Sequence, residues 1–300
     1  MRPAILISAA LFALPAAAEV PEVMTDIPAV QSLAAMVMGD IATPDVLLDP
    51  SASAHSYQMR PSEARAVQRA DLVIWVGPEL TPWLDRAIAG AQGTSLALLE
   101  TDGTHLREFD AEGGEEAHDD AHGHAHEGTD PHAWLDPANA EVWLSAIAEE
   151  LGSLDPENAA AYSANADTAR GTIRAMDARI GERLAPVTGR PFIVYHEAYG
   201  YFAEHYGLTL NGAIAEGDAA QPGAAHLAEI RDLLEAGEVV CAFPEAQHDP
   251  KPVEVLVEGT NVRVGAPLDP TGSRLHDGPG LYVALMEDLA ETLVECLSGE

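Results

Sequence analysis

Three isolated histidines, His55, His132 and His196, and an acidic histidine-rich run containing His118, His122, His124 and His126 are the residues with the most pointed chemistry in this chain. Neutral imidazole is a borderline ligand that suits zinc, and three of them around one ion leave a fourth tetrahedral position for a carboxylate or a water. The run interleaves its imidazoles with Glu115, Glu116, Asp119, Asp120 and Glu127. It offers many nitrogen and oxygen donors on one short tether. A lone histidine is more often a hydrogen-bonded or surface residue than a ligand, so the weight falls on where these ones lie.

His55 follows a turn-rich connection after an apolar run ending at Leu48, and His196 directly follows Phe192 to Tyr195. His132 lies between Asp130-Pro131 and Asp136-Pro137, the second pair marking the start of a helix. Two of the three therefore occupy strand-to-helix connections, and open parallel sheets gather their ligands beyond the carboxyl ends of the strands. Short apolar runs, 44–48, 72–76 and 95–99, alternate in the first half with helical stretches at Val30 to Met38, Pro61 to Ala70 and Leu80 to Ile88. The second half repeats the pattern with runs at 192–195, 208–210, 239–243 and 262–264, and helices at Tyr199 to His205, Ala225 to Leu234 and Gly280 to Leu297. Strand and helix in alternation predict parallel α/β sheets. The expected architecture is two Rossmann-like lobes with the metal site in the cleft between them.

Between the halves, Tyr162, Ala166, Ala169, Ile173, Met176, Ile180 and Leu184 recur every three or four residues. This predicts one long amphipathic helix over 154–186, with Asp155 as N-cap, Pro156 in the first turn and Pro186 as the stop. Its alanine-rich stripe lacks the heavy seam of a zipper, so it reads as a strut packed on both lobes. The expected organisation is an N-terminal lobe over 19–153, this helix, and a C-terminal lobe over 187–300. The segment 111–129 has no apolar residue larger than alanine, which predicts a mobile loop.

The ends of the chain speak to compartment. A short basic start, an apolar run from Ala4 to Leu14 and Ala16-Ala17-Ala18 read as a secretory signal peptide cleaved after about Ala18. No cysteine lies near that point for a lipid anchor, so a periplasmic protein is expected, and no stretch has the length of a membrane span. The two cysteines, Cys241 and Cys296, read as one disulfide in an oxidising compartment, with two buried thiols or a metal pair as the alternatives. A net charge of -34, from 15 basic against 49 acidic side chains, excludes nucleic acid and anionic membrane as partners and favours cations.

The stretch from His55 to Glu63, with Ala70 to Val76 and Pro82 to Asp85, resembles the N-terminal lobe of the zinc- and manganese-binding solute-binding proteins of ABC transporters. Asp130 to Pro137, Tyr195 to Phe202, Pro244 to Gln247 and Leu268 to Gly272 match further motifs of that family, so the resemblance covers essentially the whole mature chain. It is closest to the family's periplasmic zinc-binding type, which shares the histidine-rich loop and a cysteine pair placed like Cys241 and Cys296. The resemblance implies that His55, His132 and His196 are metal ligands and Asp269 the carboxylate candidate for the fourth position. It further implies Zn2+ as the transported ligand, a membrane permease with a cytoplasmic ATPase as partners, a monomer, and no enzymatic activity. One departure is Ala54, where some zinc members carry a glutamate before the first ligand; this leaves Asp269 or a water to complete the tetrahedron. Manganese members usually place a carboxylate where His196 stands, and a third imidazole shifts the preference to zinc.

A zinc hydrolase is the rival from another class, because His122-Gly-His124-Ala-His126 superficially resembles the H-x-H-x-D motif of metallo-β-lactamases. Against it, the run adjoins no strand and no general base stands out. His118, His122, His124 and His126 instead read as an auxiliary collecting site whose ordering cost makes it weaker than the cleft. Deleting 115–127 is expected to remove a weak second binding event from a zinc titration and leave the tight one intact. His105, His205, His226 and His248 read as surface or supporting residues, and His276 lies only seven positions beyond Asp269.

Overall fold

A computed structural model of the chain describes residues 20–49, 52–109, 128–215 and 223–299. The expected signal peptide and the loop histidines His118, His122, His124 and His126 lie outside the described residues.

The first lobe is built from β1 (Val23–Thr25), α1 (Pro28–Met38), β2 (Asp45–Val46), α2 (Pro61–Arg69), β3 (Leu72–Trp75), α3 (Pro82–Ile88), β4 (Thr94–Ala97) and α4 (Pro137–Leu154). The long helix α5 (Ala159–Leu184) follows. The second lobe comprises β5 (Phe192–His196), α6 (Gly200–Tyr206), β6 (Leu210–Ala215), α7 (Ala224–Ala236), β7 (Cys241–Phe243), α8 (Lys251–Val257), β8 (Arg263–Val264) and α9 (Leu281–Ser298). Each lobe holds one parallel four-stranded sheet, in the orders β2-β1-β3-β4 and β6-β5-β7-β8. The two orders are the same topology repeated, with the direction of winding reversing beside β1 in one lobe and beside β5 in the other. At such a reversal the loops beyond the strand ends diverge and leave a crevice.

The central strand β1 escaped the sequence reading because it has only three residues and follows Pro21. Its end is held by Asp26, fully buried, whose carboxylate accepts the N–H of Ile27 at 2.8 Å and of Val76 at 2.9 Å. Burial pushes the Asp26 carboxyl up to about 7 against the pull of those hydrogen bonds.

Helix α5 buries Tyr162, Ala166, Ala169, Ile173, Met176, Ile180 and Leu184, the stripe that its periodicity marks, against α1 and α4 of the first lobe and α9 of the second. Its start differs from the expectation. Asp155 ends α4 instead of capping α5, and it makes the corner between them by accepting Asn158 Nδ2 at 2.7 Å and the Tyr162 hydroxyl at 3.0 Å. Short polar side chains favour such turns over continued helix. The Asn158 amide holds the Asp155 carboxyl below its ordinary range.

The lobes share one continuous core running from Val23 to Leu297. Helix α1 has ten of its eleven residues buried, so it is an inner layer rather than a surface helix. Its two polar residues are used across the joint. Gln31 accepts the N–H of Gly278 at 3.2 Å, and the Ser32 hydroxyl accepts the N–H of Tyr282 at 3.0 Å, which satisfies one of the free donors at the start of α9. No helix among the described residues is long and apolar enough to cross a membrane.

A second contact between the lobes is charged. His205 on α6 donates from Nδ1 to Asp136 at 3.0 Å and from Nε2 to Asp177 on α5 at 2.9 Å, and His105 approaches the other oxygen of Asp136 at 3.2 Å. The bond to Asp136 raises the His205 pKa against the opposing effect of burial, with Asp177 adding to the rise. Burial raises Asp136, but His205, the N–H of Ala138 and His105 outweigh it and leave the carboxyl below its ordinary value. The signs set a window. The His205 contribution is complete below about 6.5 and is lost as pH rises through its raised value, whereas the Asp136 contribution is complete above about 3.9 and is lost in acid. His205→Gln is therefore expected to cost about 1–2 kcal/mol in urea unfolding at pH 5.5 and distinctly less at pH 9. Equal losses at both values would refute the charged clasp.

Candidate metal centre

His55 lies in the loop between β2 and α2, and that loop is tied down on both sides of it. The indole N–H of Trp83 donates to the Ala54 carbonyl at 2.6 Å, and the Tyr57 ring meets the Trp83 ring edge-on at 5.2 Å. Further along, Glu63 accepts the N–H of Arg60 at 2.7 Å and the Tyr57 hydroxyl at 2.9 Å, which fixes the loop at the start of α2.

His132 is set by the Asp130-Pro131-His132 turn. One oxygen of Asp130 takes both the backbone N–H of His132 at 3.0 Å and its ring Nδ1 at 2.7 Å. A single 3-10 turn, Ala133–Leu135, then leads to Asp136, which caps α4 by accepting the N–H of Ala138 at 2.8 Å. Trp134 in that turn reaches the other lobe: its indole N–H donates to the Pro270 carbonyl at 2.7 Å, and its own carbonyl accepts the Tyr282 hydroxyl at 2.7 Å.

His196 is the last residue of β5. Its Nδ1 lies 3.2 Å from Glu245, whose same oxygen accepts the Tyr199 hydroxyl at 3.3 Å. Glu245 stands two residues past the end of β7, and because β7 is the neighbour of β5 the two side chains meet beyond the carboxyl ends of the central strands. Burial raises the Glu245 carboxyl, but the imidazoles of His196, His248 and His132 outweigh it and hold the group below its ordinary value.

The fold brings one imidazole of each of His55, His132 and His196 together, with their ligand atoms all within 4.8 Å of one another. The rings lie 5.0–5.7 Å apart between centroids and meet at steep angles, so they converge instead of stacking. Tetrahedral zinc with bonds of about 2.0–2.1 Å spaces its donors about 3.4 Å apart. In His132 and His196 the Nδ1–H directed at a carboxylate leaves the lone pair on Nε2, where it can ligate a metal. His132 and His196 are 1% and 6% exposed, while His55 is half-buried and forms the open side.

Asp269 does not join the group. Its carboxylate is buried in its own turn, accepting the N–H groups of Thr271, Gly272 and Arg274 and the hydroxyls of Thr271 and Ser273 at 3.0–3.3 Å. It lines a separate cavity beside Leu275 and Leu285. The cleft next to the imidazoles holds Glu245 and His248 instead. Neither Asp130 nor Glu245 was given a role by sequence reasoning. The Asp-Pro-His spacing was a usable signal for the first; the second depends on the pairing of β5 with β7. Cys241 and Cys296 form a disulfide with Cα atoms 6.3 Å apart, joining β7 to α9. Among the remaining histidines, His276 is exposed.

The family described as "Zinc-uptake complex component A periplasmic", ZnuA, matches residues 23–296. The chain is 48% identical to the high-affinity zinc uptake system protein ZnuA of Paracoccus denitrificans, covering 100% of each. In three dimensions it resembles a zinc-bound ZnuA with residues 138–173 deleted, at a TM-score of 0.77 and 23% identity over 94% of this chain and all of that one. It also resembles the Mn2+ complex of FpvC from Pseudomonas aeruginosa, with a TM-score of 0.80 and 22% identity over 93% and 99%. On the match over nearly its whole length, the chain belongs to the ZnuA family of periplasmic zinc-uptake components.

Proposed function

We propose that the protein is a periplasmic receptor that captures one Zn2+ ion with His55, His132 and His196 and delivers it to an ABC-type import permease driven by a cytoplasmic ATPase. The observation that carries this is the convergence of three imidazoles from two lobes on one point, with no carboxylate among them. Nitrogen donors without oxygen favour zinc over manganese. Releasing Asp269 means breaking five hydrogen bonds, so the fourth position is assigned to water. The same reading includes export behind a signal peptide ending near Ala18, lobes over 19–153 and 187–300, and weak auxiliary binding by the loop histidines.

Zinc titration by calorimetry on the mature protein is the test, with one tight zinc expected beside any weak loop binding and manganese far weaker. Because the site joins two lobes, zinc also stabilises the folded chain by mass action, by about 2.7 kcal/mol at a free concentration a hundred times Kd. For a chain of this size that corresponds to a rise in melting temperature of roughly 4–5 °C. No shift at saturating zinc would contradict the proposal. Affinity is expected to fall as pH drops through the histidine range, since protons compete for the lone pairs.

A further inference from the structure

His248 is the fourth imidazole lining the cleft, and nothing in the capture site accounts for it. It lies beyond β7, three residues after Glu245, with 34% of its side chain exposed, whereas His132, His196 and Glu245 are buried. Its ring lies over Tyr195 at 4.6 Å and 33°, a contact that holds it at the rim without enclosing it. Its Nε2 stands 3.5 Å from Oε1 of Glu245. That is close to the separation of about 3.4 Å between two donors of one tetrahedral zinc ion. The opposite oxygen of the same carboxylate holds Nδ1 of His196. One carboxylate thus links an exposed imidazole at the mouth to a buried imidazole of the triad.

We propose that His248 and Glu245 form a transit site for zinc between solvent and the triad, a deepening that rests on the receptor reading above. Two protein donors leave two coordination positions to water, so the ion is held weakly there and moves on. On loading, the lone pair of His248 and an oxygen of Glu245 replace two waters of hydrated zinc; the triad nitrogens then displace these donors and all but one of the remaining waters in turn. Release runs through the same steps backwards. Each step exchanges one neutral or carboxylate donor for another, so no electron moves and the charge on the ion is unchanged.

The experiment compares wild type with His248→Phe, which keeps the ring on Tyr195 and removes the donor, and His248→Ala. Glu245 is left intact because its loss would also disturb His196. Stopped-flow mixing of zinc-loaded protein with a fluorescent chelator measures release, and mixing of metal-free protein with zinc measures loading. Both variants are expected to hold one zinc at unaltered equilibrium affinity, with loading and release slowed by the same factor. That factor is about tenfold or more, as expected when a tethered donor acting at millimolar effective concentration is lost. Added imidazole at tens of millimolar is expected to restore the rates of His248→Ala, which a purely structural role would not allow. Wild-type rates in His248→Phe would overturn the transit site, as would loss of equilibrium affinity in both variants without rescue. A wild-type protein that binds no zinc tightly would instead bring down the receptor reading itself, so the two failures are told apart.

Discussion

His132→Ala is expected to weaken zinc binding roughly 10²–10³-fold, since apparent zinc affinities of about 10–16 kcal/mol shared over three or four ligands amount to about 3–4 kcal/mol each. His55→Ala and His196→Ala are expected to fall in the same range. The three differ in what else they disturb. His132 and His196 each fill the acceptor of a buried carboxylate, Asp130 and Glu245, so their removal leaves an anion short of a partner. His55 lies on the open side of the site, and its loss is expected to disturb the metal-free protein less than the loss of either buried imidazole. Calorimetric titration of all three, beside their melting temperatures without metal, separates lost ligation from lost fold. Undiminished affinity in His55→Ala and His132→Ala would move the tight site away from the cleft, toward the histidine-rich segment.

Replacing both Cys241 and Cys296 by serine is expected to cost about 4 kcal/mol of stability. The bond closes a loop of 55 residues, and the chain-entropy argument for a loop of that length yields about this value at 25 °C. The linkage also joins the central region of the second sheet to α9, which packs on both α5 and α1. Loosening β7 would therefore reach Glu245 at its end and, through it, His196. A lower urea midpoint with a steeper slope, since the unlinked chain unfolds to a more expanded state, is the expected signature, accompanied by weaker zinc binding. A double variant that unfolds at the wild-type midpoint would show that core packing alone holds α9 in place.

Much of this was legible before any coordinates. The stripe from Tyr162 to Leu184 specifies a long helix because every third or fourth side chain must be apolar to be buried on one face, and those seven residues are the buried ones. Asp136-Pro137 marks the start of α4 because the carboxylate accepts a free N–H there and proline costs no hydrogen bond in the first turn. Asp155-Pro156 carries the same signal and makes a corner instead. The pattern is local, and the choice between cap and turn was settled by Asn158 and Tyr162, which compete for the same carboxylate.

The repeated strand-helix alternation, the linking helix and the three candidate imidazoles depend on residue type and on spacings of a few positions, so they can be read along the chain. Which donors share a point depends on how the elements pack. In sequence Asp269 competes with a water for the fourth position, whereas in the fold the N–H groups that follow it in its own turn capture the carboxylate. Glu245 gains its place because β7 pairs with β5, and His248 because the loop after β7 opens onto the same cleft. Coordination needs donors within a few ångströms, and distances across strands and between lobes are set by sheet order and helix packing, which no local spacing encodes.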